Sequence, residues 1–283
     1  ISNISGNNTV GLSAAGLVNI TGDRTQGVII SGLTSIGGDN TSGLMISGFM
    51  NVTGNMASGL HFSGAANITG QSFGGLMASG LLNVVGEHMN GLQIAGIANI
   101  TASKLNGVQI ALCNYATQAR GLQIGLVNYY KEDMKGFQLG LVNANPDTRV
   151  QMMVYGGNAT PANIGVRFKN QLFYTILGIG SMYQGLNDKF SASASYRAGL
   201  SFTLYKGLSI SGDLGYQHIE AFDNKDEVIP KRLYALQARA NLEYQFTRKF
   251  GIFATGGYGL TRFYNKSSNY DKGAIIEAGI VLF

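Results

Sequence analysis

The side chains able to do chemistry in this chain are few and scattered. His61, His88 and His218 lie far apart, and no pair has the i, i+4 spacing of a helical metal site. One cysteine, Cys113, allows neither a cysteine-based zinc set nor an internal disulfide. It falls in the apolar stretch Ala111-Leu112-Cys113 and reads as a small buried hydrophobe. Ser191, Ser193 and Ser195 are not part of a Gly-x-Ser-x-Gly elbow with suitable partners. Gly178-Ile-Gly180 lies in a strand-like run rather than at a strand-to-helix turn, so it is no phosphate cradle. Lys and Arg are dispersed without aromatic interleaving, which argues against nucleic acid. The expectation is a protein that is not an enzyme, with no catalytic residues, no metal and no cofactor.

Composition turns attention to the backbone. The 283 residues include 41 glycines but three prolines, and 45% are hydrophobic. Glycine at that level beside so many apolar residues implies tightly turning, closely packed chain rather than disorder. Only 12% of residues are charged, about half the usual share for a soluble domain. Residues 1–100 hold just Asp23, Arg24, Asp39 and Glu87, a net of −2, so the remainder carries +7 of the overall +5. No run of about 18 apolar residues exists for a transmembrane helix. A membrane protein of this composition would have to cross with strands closed into a barrel.

The first half is a repeat. Units begin at Asn3, Asn19, Ser35, Asn51, Asn67, Asn83 and Asn99, sixteen residues apart; later ones begin at Asn114 and Asn128 and close at Asn143. Each carries a Gly-apolar segment, from Gly11-Leu12 to Gly136-Phe137. A period of 14–16 residues suits one coil of a β-solenoid, with short strands and glycine corners. Stacked about 4.8 Å apart, nine coils would make a rod of roughly 40 Å. Asn19, Asn51, Asn67, Asn83, Asn99, Asn114 and Asn128 should form a ladder of mutually satisfied amides. That reading takes precedence over the glycosylation pattern of the Asn-x-Thr triplets, and over an ice- or carbohydrate-binding face made by Thr21, Thr53, Thr69 and Thr101. Alternation within Gly-Leu-x-Ile assigns the x row, Ser13, Ile29, Met45, His61, Met77, Gln93, Gln109, Gln123 and Gln138, to the outside. Ile29, Met45, Met50, Met77 and Leu82 would then be an exposed apolar stripe and a candidate partner contact. A phase shift of one residue would instead bury the row.

Gly-Leu-Gln-Ile-Gly-Leu-Val-Asn at 121–128 and Gly-Phe-Gln-Leu-Gly-Leu-Val-Asn at 136–143 resemble a repeat of bacterial surface-repeat proteins from spirochaetes and the Bacteroidetes. The resemblance covers residues 3–143. It implies no defined activity and carries over no site residues.

From about residue 148 the pattern changes to long alternating strands. In 190–204, Phe190, Ala192, Ala194, Tyr196, Ala198, Leu200, Phe202 and Leu204 share one face, with serines, Arg197 and Thr203 on the other; 234–246 repeats the pattern. Such alternation over strands longer than soluble ones matches outer-membrane barrels. Eight strands are expected, at about 149–158, 162–169, 171–184, 190–205, 208–221, 232–247, 250–264 and 274–283. Short turns fall at Lys169-Asn170, Lys206-Gly207 and Arg248-Lys249; longer loops fall at 158–161, 186–189, 223–231 and 265–273. The interior of so small a barrel is filled by side chains. Arg167, Arg197, Asp213, Arg239, Glu243 and Glu277 are its inward charges, read as a salt-bridged plug in preference to an ion or proton path. Phe283 resembles the C-terminal aromatic read by the outer-membrane assembly machinery. If it faces lipid, strict alternation puts Glu277 there too, unless a bulge intervenes or Phe283 lies beyond the strand.

The expected fold is therefore all-β: a β-solenoid of about nine coils over residues 1–147, then an eight-stranded antiparallel transmembrane β-barrel over residues 148–283. The expected location is the bacterial outer membrane, with any export signal outside this numbering. The expected function is a barrel-anchored scaffold whose solenoid binds another envelope protein, with an accessory subunit of a larger outer-membrane complex as one form of that role. A surface adhesin or ligand-binding rod is the alternative, and a small channel a weaker one. An even strand count and the short-turn rule put both chain ends, and with them the solenoid, on the periplasmic side; an extracellular solenoid goes with the adhesin reading. Partners would be outer-membrane lipid, the assembly machinery and one envelope protein.

Overall fold

The computed structural model describes the chain apart from residues 182, 184–185, 187–189, 223–231 and 265–268. Two compact units, Ile1–Pro146 and Asp147–Phe283, are built from strands, with no α-helix among the described residues.

The first unit is a parallel β-solenoid of sixteen strands, from β1 (Ser2–Ser5) to β16 (Val142–Ala144). One coil illustrates those before Ala98, after which the first two strands of a coil merge into one. Met50–Thr53 forms a first side, the chain turns at Gly54-Asn55, and the strand Met56–Ser63 bends at Gly59 into a second and a third side. Gly59 has φ +108°, and its equivalents from Gly11 to Gly136 all lie between +102° and +149°. Only glycine holds that conformation at little cost. Close stacking adds a second requirement, because a Cβ on Gly59 would sit 2.1 Å from the carbonyl oxygen of Gly43. Successive coils pair in register, Asn51 with Asn67 and Gly59 with Gly75. Where the period shortens after Asn99, irregularities between Thr101 and Lys104 and between Ala116 and Gln118 absorb the missing residues.

The inward positions overturn the expected phase. Ile29, Met45 and Met77 are 1%, 0% and 0% exposed and line the interior with His61 and the glutamines; only Met50 and Leu82 of the expected stripe lie on the outside. The leucines and isoleucines of Gly-Leu-x-Ile face outward instead, among them Leu60 and Ile46. Each corner keeps strand parity, so the x residue and the ladder asparagine point the same way, Met45 lying six residues before Asn51. Phe73, Met77, Met89 and Leu105 form the apolar middle of the interior. Cys113 is exposed rather than buried, because it shares the outer column of Ala98 and Val127.

The second unit is a closed antiparallel barrel of eight strands. In order these are β17 (Arg149–Gly157), β18 (Ala162–Asn170), β19 (Phe173–Ser181), β20 (Ser191–Tyr205), β21 (Leu208–Ala221), β22 (Arg232–Thr247), β23 (Phe250–Phe263) and β24 (Asn269–Leu282). β24 closes on β17, with Val281 opposite Met153. The first short turn is Gln171-Leu172 rather than Lys169-Asn170, which belong to β18; Gln171 takes φ +35° there. β24 starts at Asn269 rather than 274, so most of the expected last loop is strand and its first residues, 265–268, lie outside the described residues. The expected loop at 223–231 also lies outside them, as do residues 187–189 of the loop at 186–189.

Candidate functional sites

The barrel interior gathers all six of the inward charges. Gln151 on β17, Arg167 on β18 and Glu243 on β22 form one group: the Arg167 guanidinium donates to both Glu243 oxygens at 2.6 and 3.0 Å, and its Nε to Gln151 Oε1 at 2.6 Å. Arg197 on β20 donates from Nε and Nη2 to the two oxygens of Asp213 on β21, both at 2.8 Å. Tyr174 Oη and Asn241 Nδ2 also donate to that carboxylate, at 2.7 and 2.8 Å. Arg239 reaches both Glu277 oxygens at 3.1 Å, and Arg197 Nη1 lies 3.6 Å from Glu277 Oε2. Three arginines thus meet three carboxylates, each arginine in paired, two-pronged contact with one of them. All six are at most 8% exposed. Buried charges persist only when matched in this way. Tyr174, Gln151 and Asn241 belong to the network but carry no charge, and their inward strand parity was the only signal of them.

Phe283 lies one residue past β24, on the parity of Glu277 and Val281. It packs against the inner cluster of Met153, Tyr155, Tyr174 and Phe253, and its N–H donates to Lys249 O at 3.1 Å. It therefore does not face outward, and Glu277 is buried inside the barrel.

The solenoid interior carries two amide ladders. Asn51, Asn67, Asn83, Asn99, Asn114, Asn128 and Asn143 are linked side chain to side chain at 2.8–3.0 Å. From Asn51 to Asn128, the second Nδ2 proton goes to the backbone carbonyl just before a corner, as in Asn83 to Ile94 O at 2.7 Å. Asn19 stands outside this ladder, because Ser35 interrupts the column; Asn19 bonds Ser13 instead. A second ladder, unforeseen in the sequence, links Gln138, Gln123, Gln109 and Gln93 at 2.8 Å. Thr21, Thr53, Thr69 and Thr101 are buried, so they form no ligand face, and the buried asparagines are no glycan acceptors. His61 lies between the two parts of its column, edge-on to Phe73 at 4.9 Å, with Nε2 unpartnered. Burial pushes its imidazole down to about 4.

The outside of the solenoid is sharply divided. Every Asp, Glu, Lys and Arg of residues 1–144 lies on the second side or the corner before it: Asp23, Arg24, Asp39, Glu87, Lys104, Arg120, Lys131, Glu132, Asp133 and Lys135. A shallow depression crosses five coils on this side, edged by Gln26, Ser42, Ser58, Gly74 and Asn90. The first and third sides carry no charge in any coil. Among the described residues, no group of three or more His, Cys, Asp or Glu could hold a metal ion.

No family model matches the chain, and no curated protein matches it. Among solved structures, the N-terminal β-barrel domain of OprF from Pseudomonas aeruginosa is similar to 47% of this chain and 93% of that chain, at 16% identity and a TM-score of 0.31.

Proposed function

We propose that this chain is a non-enzymatic outer-membrane scaffold: a plugged eight-stranded barrel anchors it, and the polar second side of the solenoid binds another envelope protein. The barrel's outer surface supports the anchoring role. Leu200, Phe202, Leu214, Leu236, Leu242 and Ile276 are 44–71% exposed there, and strands of 14–16 residues exceed the 9–11 needed to cross. Aromatic groups stand at both ends of the strands, Tyr244, Phe246 and Phe250 at one and Phe190, Phe222, Tyr216 and Tyr234 at the other. The three matched ion pairs fill the interior and speak against a channel.

The observation that carries the scaffold reading is the confinement of the solenoid's charged groups to one side, where a depression with a polar edge crosses five coils. Stacked repeats make such a surface extended and repetitive, suited to a protein partner. Short turns and both barrel termini share one end, since Arg149 pairs with Lys169 and Phe283 with Lys249. By the short-turn rule that end is periplasmic, and the chain leads into the solenoid from there. A photo-crosslinking residue at Ser58 or Asn90, in cells, should give an adduct with the same single envelope protein at both positions. No adduct, together with a chain that leaves mild detergent alone and monomeric, would remove the scaffold reading. Cleavage within residues 1–143 by protease added to intact cells would move the solenoid outside and favour the adhesin.

A further inference from the structure

The solenoid is built inside out. Its bore holds asparagine and glutamine ladders, buried serines and threonines and one histidine, while two of its three sides are apolar on the outside. The third side presents Leu44, Leu60 and Leu92 in one column and Ile30, Ile46 and Ile94 in the next. Between the third and first sides runs a corner column that includes Leu17, Leu33, Phe49, Leu81, Ile97 and Leu126, each 45–54% exposed. On the first side the outer columns include Val52, Ile68 and Val84. Soluble chains rarely leave a continuous apolar patch of more than a few hundred Å² in water.

We propose that these two sides and the corner between them lie against lipid acyl chains, so that the solenoid is embedded lengthwise as a wedge in one leaflet with its charged second side to water. Three features select lipid over a protein partner. Protein interfaces carry about one hydrogen bond per 100–200 Å² and are anchored by Tyr, Trp and Arg. Here the columns are mostly aliphatic and carry no charge; the exceptions include Phe49, Phe137 and the stacked Tyr115 and Tyr129, and tyrosines also suit the membrane–water interface. The apolar region is convex, folded around a corner, so a protein partner would have to wrap it, whereas acyl chains conform to it. Backbone groups on these sides are paired coil to coil, which is the condition for contact with hydrocarbon. The division into one charged and one broad apolar surface is that of interfacial membrane elements. The inference goes beyond the scaffold reading and leaves the second side free for its partner.

Cys113 tests it without mutation, since this sole cysteine is exposed on the first side. The full chain is labelled there with a nitroxide, reconstituted in phosphatidylcholine–phosphatidylglycerol vesicles, and relaxed with oxygen and with a water-soluble nickel chelate. A Cys113→Ala, Ser58→Cys chain labelled on the second side is the comparison, and Leu81→Cys in the same background reports the corner. The expected result is several-fold lower chelate accessibility at Cys113 and at residue 81 than at residue 58, with oxygen accessibility reversed. Equal chelate accessibility at all three sites overturns the proposal. So does spin–spin broadening at Cys113 that is relieved by diluting with unlabelled chain, which would assign the apolar sides to a second copy. Should the Leu81→Cys chain fail to fold, the wild-type label at Cys113 against residue 58 still decides. The outcome is independent of whether Ser58 crosslinks to a partner.

Discussion

His61 makes the solenoid sensitive to acid by a calculable amount. Its imidazole is buried among Met45, Met77 and Phe73, with no hydrogen bond at Nε2 and a pKa pushed down to about 4. In the unfolded chain the value returns to 6.5. The unfolded state therefore binds more protons between these values, and stability falls as pH drops through that window. One pKa unit corresponds to about 1.4 kcal/mol, so the coils around His61 should lose about 2 kcal/mol by pH 5 and about 3 kcal/mol by pH 4. Amide hydrogen exchange of peptides spanning residues 40–80, corrected for the intrinsic rate at each pH, reads this as a loss of protection. His61→Met continues the column of Met45 and Met77 and should flatten the profile over that range. The difference between the two proteins cancels the carboxylates of the outer side. If wild type and His61→Met lose protection in parallel, or if the His61 ring titrates near 6.5 by NMR in the folded chain, the burial argument is wrong.

Neighbouring glycines should respond differently. Gly75→Ala places a Cβ 2.2 Å from Gly59 O at φ +130° and should destabilise the solenoid strongly, whereas Gly74→Ala meets nothing within 4 Å and should be nearly neutral, as read by the same exchange measurement. Asn83→Leu removes one acceptor and two donated bonds in mid-ladder and should cost about 3 kcal/mol, the penalty of stranding buried carbonyls. In the barrel, Glu243→Gln leaves Arg167 a buried, uncompensated charge and should lower the denaturant midpoint by the equivalent of about 3–5 kcal/mol. The double substitution Arg167→Met, Glu243→Leu should recover most of that loss. The wild-type barrel should be electrically silent in planar bilayers; steady single-channel conductance would contradict the plug.

Much of this molecule is legible in the amino-acid order, because its periodicities are strict. A 16-residue recurrence of Asn and Gly can only stack, and the two-residue alternation of β20 and β22 already separates Arg197, Arg239 and Glu243 from the tyrosines and leucines across the strand. The same alternation placed Arg167, Asp213 and Glu277 inside, since charges on the other face would meet hydrocarbon. Sequence alone could not decide which face of the solenoid strands is inner. The habit that apolar residues are buried pointed the leucines of Gly-Leu-x-Ile inward, and the asparagine ladder pointed the other way; parity across the glycine corners settles it for the ladder. That parity depends on how many residues each corner consumes, a tertiary quantity fixed by the close approach of stacked glycine backbones. Pairing within the barrel is likewise tertiary. Arg167 and Glu243 are 76 residues apart and meet only because the closed sheet curls their strands across a common interior. Phe283 keeps the parity of Glu277 and Val281, so alternation ties all three to one face, and the closed barrel makes that face the inner one, where Phe283 packs against the cluster that includes Tyr155 and Phe253.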